Sequence, residues 1–404
     1  MANVSSSNGL EKRPKLRFPG FDEPWEAVTL SSILHERNEY AEKDGSYEHA
    51  TLSKEGIYAK TARYDRDFLV STENKKYKVT HYNDLCYNPA NLKFGVICLN
   101  KYGDAIFSPI YVTFEVDEKV DVDFIGANVT RWDFINHALR FQQGTVYERM
   151  AVSPEDFLSI QCYLPSKNEQ VHIASLMRVL DNRIEKQQSY VDALKKYKRG
   201  AVRSLLSAKS CPLKNASWTT AKMGELGYFI KGAPLSKADI SEDGTPFILY
   251  GELYTTYNEV VTSVKRRTQA QIDETFLSRV GDVVIPTSGE TPEEISTASC
   301  VMLPDVILAG DLNIFRGDKV DGRIMSYLLN HVVNGKIARI AQGKSVVHIQ
   351  ASELCKLTLT YPDKNTQNTI IGFLSLLDDK IMNEENLLAF LSVLKEGLLQ
   401  QLFI

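Results

Sequence analysis

The stretch PSKNEQVHIASLMRVLDNRIEKQQSYVDALKKYKRGAVRSLLS, residues 165–207, returns 197 positions later as PDKNTQNTIIGFLSLLDDKIMNEENLLAFLSVLKEGLLQQLFI, residues 362–404, with no gap between the copies. Pro165, Lys167, Asn168, Gln170, Ile173, Leu180, Asp181, Ile184, Leu194, Lys198, Gly200 and Leu205 recur as Pro362, Lys364, Asn365, Gln367, Ile370, Leu377, Asp378, Ile381, Leu391, Lys395, Gly397 and Leu402. In each copy apolar residues recur at alternating steps of four and three, the seam of a coiled-coil helix. One seam runs through Ile173, Met177, Leu180, Ile184, Val191, Leu194, Ala201 and Leu205; the other runs through Ile370, Leu374, Leu377, Ile381, Leu388, Leu391, Leu398 and Leu402. Both are interrupted at the same places, by Gln187 and Lys198 in the first and by Glu384 and Lys395 in the second. Shared interruptions argue for shared ancestry and a shared role. The seam alone, Ile173 to Leu205, spans roughly 50 Å at about 1.5 Å per residue, so the pair reads as a rod.

Around that repeat, 404 residues are too many for one ordinary core and imply two or three domains. A hydrophobic share of 43% and a charged share of 24% are those of a soluble globular protein, with no run long and apolar enough to cross a membrane. A cytoplasmic location is expected. Residues 1–15 are polar, lack the apolar run of a signal peptide and are expected to be a disordered lead-in. Cys86, Cys98, Cys162, Cys211, Cys300 and Cys355 show no metal-ligand spacing and read as reduced thiols. Net charge is −4, yet it is split: residues 165–209 hold ten Lys/Arg against four Asp/Glu, and residues 363–404 hold three against six. A basic helix and an acidic one prefer each other as partners.

The rest of the chain is predicted as mixed α+β. In the first half strands are expected at 68–71, 94–99 and 106–114, with a helix over 132–141; in the second, strands at 228–232, 247–251, 259–264, 282–287 and 299–303, with a helix over 321–334. The two globular segments echo each other only in an initial Trp (Trp25, Trp218), in Asn136-His137 against Asn330-His331, and in Gln143-Gly144 against Gln342-Gly343. The plan is therefore lead-in 1–15, module 16–162, long helix 163–209, module 213–360 and long helix 361–404. Similar scaffolds carrying dissimilar modules suggest two related surfaces that recognise two different things.

The segment Arg13 to Phe21 with Trp25, the run Tyr163-Leu-Pro-Ser-Lys-Asn-Glu-Gln170 leading to Leu180-Asp181, and its recurrence Tyr361-Pro-Asp-Lys-Asn-Thr-Gln367 with Leu377-Asp378 resemble the specificity subunits of type I restriction-modification systems. The likeness follows the whole chain in its order of parts, tightly in the helices and loosely in the modules. It implies an α/β fold with two target-recognition domains, each reading half of a bipartite double-stranded DNA site, held apart by two long antiparallel helices. It implies further that the helices dock two methyltransferase subunits, and through them the motor-nuclease subunits. No catalysis of its own is expected of the chain, nor any cofactor: S-adenosylmethionine and ATP belong to the partner subunits.

Local motifs add little catalysis. Asn88-Pro-Ala-Asn91 lacks the second proline and the aromatic of an amino-methyltransferase tetrapeptide and reads as a turn, although Tyr87-Asn88-Pro89 resembles a binding-loop element of that family. Gly343-Lys344-Ser345 ends like a phosphate-binding loop, but Ala338 stands where the first glycine is required. No histidine spacing indicates a metal or a catalytic triad.

Candidate DNA contacts are cations interleaved with aromatics. In the first module these are Lys60, Arg63, Lys75, Lys76, Tyr77, Lys78, Asn88 and Lys93; in the second, Lys231, Lys237, Tyr250, Tyr254, Lys265, Arg266 and Arg267, with Thr287 and Ser288 in a strand-end Thr-Ser-Gly loop. A solvated charged surface is the plain alternative for each run. For the helices an antiparallel register is predicted in which the interruptions close on each other, Gln187 on Lys395 and Lys198 on Glu384. It sets Leu180 on Leu402, Ile184 on Leu398, Val191 on Leu391, Leu194 on Leu388, Ala201 on Ile381 and Leu205 on Leu377. Two other classes remain: a coiled-coil adaptor between two proteins, which would show no salt-dependent DNA affinity, and a self-contained DNA methyltransferase, which would need a cofactor-binding Gly-rich loop that the sequence lacks.

Overall fold

A computed structural model describes residues 3–4, 12–42, 45–60, 76–143, 150–341 and 347–404. Two helices of 39 residues each, Lys167–Leu205 and Lys364–Leu402, coincide with the duplicated stretch. The chain packs as two units, Met1–Gln188 with Asn386–Ile404 and Ser189–Glu385, so each unit takes one part of both long helices. Cutting the sequence into module and helix follows the order of the chain. Packing cuts it differently, because an amphipathic helix must bury its apolar stripe and finds the nearest module on which to do so.

In the first unit, Ile173, Ala174, Met177, Leu402 and Phe403 enter the module core beside Trp25, Phe124, Phe134 and Phe157. Phe403 stacks on Phe124 with ring centroids 5.0 Å apart and meets Trp25 edge-on at 6.3 Å. In the second unit, Val202, Leu206, Ile370, Ile371 and Leu374 enter a core with Met223, Phe315, Tyr327 and Leu359. Each such side chain, fully buried, contributes about 1.5–3 kcal/mol.

Beneath their dissimilar sequences the two modules are built alike. The first has a sheet in the order Ile97–Leu99, Leu85–Tyr87, Val112–Val116, Leu34–Glu36, and the second has the equivalent antiparallel run Ser299–Val301, Asp282–Pro286, Leu312–Arg316, Tyr228–Lys231, extended by a fifth strand, Val260–Val261, parallel to Ser299–Val301. Register agrees as well: Val112 faces Tyr87 and Leu312 faces Pro286. A two-stranded ribbon then leads into each long helix, Glu26–Thr29 with Gln161–Leu164 and Trp218–Lys222 with Thr358–Pro362.

The recurring glutamines tie module to helix in both units. Gln170 Nε2 donates to the Pro165 carbonyl at 2.9 Å while its Oε1 accepts from the Asp121 amide at 2.8 Å. Gln367 does the same with the Pro362 carbonyl (2.8 Å) and the Asp321 amide (2.9 Å). Asp121 and Asp321 in turn cap the helices Val122–Val129 and Gly322–His331 by accepting from the amides of Phe124 and Arg323. The correspondence is visible in the sequence as well, where Lys119-Val-Asp121 and Lys319-Val-Asp321 are the same tripeptide.

Some expectations are corrected. In the lead-in, Asn3–Val4 pairs antiparallel with Leu16–Arg17, the Lys12 carbonyl accepts from the Trp25 amide, and the Lys12 ammonium lies over the Tyr163 ring. The strand expected at 94–99 starts with a 3-10 turn at Leu92–Phe94, and the helix expected over 321–334 ends at His331 before a second one, Asn334–Ile340. The strand expected at 68–71, and Gly343-Lys344-Ser345, lie outside the described residues. All six cysteines are free. No described helix is long and apolar enough to cross a membrane.

Candidate nucleic-acid interface

Each module carries a second sheet, and its outer strands bring the predicted cations to equivalent places. In the first module Ala105–Phe107 runs parallel to Glu48–Ser53, whose other edge pairs antiparallel with Gly56–Ala59. In the second, Ile307–Ala309 runs parallel to Thr245–Leu249, whose other edge pairs antiparallel with Arg266–Thr268. Lys54, Tyr58 and Lys60 therefore flank or occupy one outer strand, and Lys265, Arg266 and Arg267 the other. An edge strand leaves one row of backbone donors and acceptors unpaired, and cations there face outward.

On the first module this edge continues into an exposed patch of cations over aromatic rings. The Lys54 ammonium lies 6.0 Å from the centre of the Trp132 ring, and Lys93 lies 5.1 Å from that of Phe94. The Trp132 indole packs over Gly95, the residue after Phe94, whose left-handed φ of 76° turns the chain there. Trp132 is 50% exposed and Phe94 58%. The sequence places Trp132 in a helix without marking it as a surface residue, since nothing in the order of residues tells an exposed first turn from a core one. Lys76 is exposed and Lys60 half-buried; Arg63 and Lys75 lie outside the described residues.

Other candidates are held inside the first module. The Lys78 side chain is 2% exposed, with Nζ 3.2 Å from Glu36 and 2.9 Å from Asn38, over the Tyr40 ring. Tyr77 is buried edge-on against His49. Asn88 is buried and accepts from the Ala90 amide, which makes Asn88-Pro-Ala-Asn91 a turn.

In the second module Lys237, Lys265 and Arg267 are exposed, and Arg267 donates to the Gly244 carbonyl across the strand pair. Arg266 is held by the buried Glu252 at 2.8 Å, and Lys231 reaches Asn313 at 3.4 Å. Tyr250 and Tyr254 are half-buried. Burial raises the pKa of Tyr254, keeping its hydroxyl a neutral hydrogen-bonding group.

The Thr-Ser-Gly loop proves to be the counterpart of Tyr-Asn-Pro, because both end the same strand of the shared sheet. Val152 donates its amide to the Pro89 carbonyl, and Ile349, one repeat later, donates to that of Thr287. Ser288 Oγ donates to Asp311 at 2.5 Å and is buried, whereas Thr287 Oγ1 has no partner among the described residues. Both loops stitch the module to the chain that returns toward the long helix.

The helix candidates Leu180, Ile184, Gln187, Val191, Leu194, Lys198 and Leu205, with Leu377, Ile381, Glu384, Leu388, Leu391, Lys395, Leu398 and Leu402, are all buried or half-buried. Their polar pairing differs from the prediction. Lys395 meets Asp181 at 2.5 Å in the first unit, about two turns before Gln187. Lys198 meets Asp378 at 2.5 Å in the second, and Glu384 is engaged by Lys380. Apolar seams match in several heptad registers, so the choice falls to the charges; the acids that decide it, Asp181 and Asp378, recur directly after Leu180 and Leu377.

Residues 215–391 match the family described as the type I restriction modification DNA specificity domain. The matched stretch takes in the second module and most of the second long helix. No curated protein matches the sequence. Among solved structures, the fold of this chain is similar to that of the type I restriction-modification system S subunit from M. genitalium, with 17% identity, 97% of this chain and 99% of that one covered, and a TM-score of 0.59. It is also similar to a chain from a structure on complex assembly and conformational transition of the type I R-M system, with 15% identity, 96% and 98% covered, and a TM-score of 0.58. The chain thus has a scaffold that repeats and outer strands whose side chains do not.

Proposed function

We propose that each module reads one half of a bipartite double-stranded DNA site, that the paired long helices set the distance between the halves, and that they seat two methyltransferase subunits through which motor-nuclease subunits join. S-adenosylmethionine and ATP are brought by those partners, and the chain contributes recognition without catalysis. The observation that carries this reading is the equivalence of the outer strands: Lys54 to Lys60 in one module and Lys265 to Arg267 in the other occupy the same edge of the same sheet with unrelated side chains. Cations on such an edge neutralise phosphates, and the differing neighbours select bases.

A protein-protein adaptor would leave both cation-lined edges unexplained, and a self-contained methyltransferase would need its own cofactor loop. The test is a salt titration of duplex binding by the chain with and without its methyltransferase. Affinity is expected to fall linearly on a log-log plot as salt rises, with sequence preference in the complex. Binding indifferent to salt contradicts the reading.

A further inference from the structure

One lysine of the repeat stands in two different settings. In the second unit Lys198 is closed in by Glu259, whose carboxylate it meets at 2.7 Å, by Asp378 and by the Tyr327 ring. Glu259 arrives just ahead of the fifth strand of the sheet. The Cys300 amide donates to the Glu259 carbonyl at 2.8 Å, and the Met302 amide donates to that of Val261 at 2.9 Å. Lys198 thus holds two carboxylates, one from the other long helix and one from an added strand.

In the first unit Lys395 occupies the Lys198 position of the repeat and meets Asp181, the counterpart of Asp378. The shared Lys-Val-Asp tripeptide aligns the helix Val122–Val129 with Gly322–His331, which sets Ala127 where Tyr327 stands and Arg131 where His331 stands. Alanine has no ring to lay over the lysine. Arg131 is engaged elsewhere, donating to the Ile404 carbonyl at 3.0 Å and lying over the Phe403 ring. Among the described residues no strand pairs with the outer edge of Ile97–Leu99, the counterpart of Ser299–Val301. In place of strand and ring there is a cleft of about 450 Å³, lined by Leu99 and Ala127 and by the charges of Lys101, Arg178 and Lys395 against Asp123 and Asp181. Three cations against two carboxylates leave one positive charge over, which favours one more anion.

We propose that this cleft binds an extended acidic peptide of a partner protein, which adds to Ile97–Leu99 as a fifth, parallel strand and sets a carboxylate on Lys395. The second unit supplies the template, since its own residues 258–261 make that strand and that ion pair. An open sheet edge offers backbone donors and acceptors to an added strand, and the side chains beside it select which one. Here the selection is for a carboxylate followed by β-branched residues, as Glu259 is followed by Val260 and Val261. The inference rests on neither the DNA nor the methyltransferase reading, because the cleft belongs to the first unit alone and its counterpart in the second is filled.

The test is fluorescence anisotropy of a labelled synthetic peptide, Tyr-Asn-Glu-Val-Val-Thr, which copies residues 257–262, titrated with the full chain. Saturable binding of one peptide per chain is expected, weakened on the order of tenfold when glutamine replaces the glutamate. Lys395→Met should weaken it to the same extent, and Ala127→Tyr, which restores the ring found in the second unit, should block it. Circular dichroism melting checks that both variants stay folded, and Lys395→Met alone decides the matter if the tyrosine proves too large. Absence of saturable binding overturns the proposal, and so does binding that survives Lys395→Met. Equal affinity for the glutamine peptide overturns the role given to the carboxylate.

Discussion

Lys198 Nζ lies 2.5 Å from an Asp378 carboxylate oxygen, and one repeat away Lys395 Nζ lies 2.5 Å from Asp181. The same pair is thus made twice, but in different surroundings. The Lys198 side chain is 10% exposed, also meets Glu259 at 2.7 Å and sits over the Tyr327 ring, whose hydroxyl donates to Asp378 at 2.7 Å. Burial works against its charge, yet the carboxylates of Glu259 and Asp378 outweigh burial and raise its pKa. Lys395 is 31% exposed.

The two lysines therefore differ in what they hold. Lys198→Met leaves the mostly buried Glu259 carboxylate without its lysine and frees the half-exposed Asp378, and is expected to cost about 3 kcal/mol of stability. Lys395→Met removes a pair open to water and should cost less than about 1 kcal/mol. Urea unfolding midpoints of the two variants compare them directly; equal costs would show that the cluster around Lys198 has no special weight.

Acid should unlock the same cluster. Burial opposes the Glu259 charge, but hydrogen bonds from His331 and Lys198 prevail and lower its pKa from 4.5 to about 2. Because the folded value is depressed, the stability it contributes is present above the unfolded value and is lost as pH falls through about 4.5 toward about 2. Glu259→Gln is expected to flatten that part of the stability profile, measured by urea unfolding across the acid range. An unchanged slope would mean that other carboxylates carry it.

The cation-lined edges, proposed above to face DNA, predict a contrast between lysines of one module. Lys93→Ala and Arg267→Ala should each weaken duplex binding across sequences and reduce the log-log salt slope by roughly one. Lys78→Ala should leave that slope alone and lower stability instead, since Lys78 is enclosed by Glu36, Asn38 and Tyr40. A salt slope that drops in Lys78→Ala would place this lysine on the DNA.

The two glutamines allow a test of the shared scaffold. Gln170→Leu and Gln367→Leu each leave a module amide and a carbonyl without a partner, at a cost of about 1–3 kcal/mol per unsatisfied group. Similar losses in both variants are expected. A loss in only one would mean that the two junctions, though alike in geometry, differ in energy.

These elements also mark what the order of residues can carry. The long helices were legible because a seam repeats every few residues and the whole stretch repeats again, with polar interruptions aligned. Their register was not: apolar pairs such as Leu180 with Leu402 fit more than one heptad shift, and Asp181 and Asp378 flank the seam where a pattern search sees only surface. Some strands of the second module, such as Tyr228–Lys231, Asp282–Pro286 and Ser299–Val301, were legible from local alternation, whereas most of the first module's, Glu48–Ser53 and Leu85–Tyr87 among them, were not. That Asp282–Pro286 and Leu85–Tyr87 are the same strand was not, because equivalence there is set by pairing across distant segments and little sequence is shared. Among the candidate contacts, Lys78 looks in sequence like its neighbours although strand pairing turns it inward, and Trp132, expected only as part of a helix, lies exposed over Gly95.

The central claim is that the helices measure while the modules read. Inserting one heptad into both long helices lengthens the pair by about 10 Å, or about three base pairs at ~3.4 Å per pair. The decisive measurement is the methylation motif in genomic DNA of cells carrying the chain and its methyltransferase, before and after the insertion. Both half-sites unchanged with a longer spacer between them is the expected result; an unchanged spacer in an active complex would contradict it.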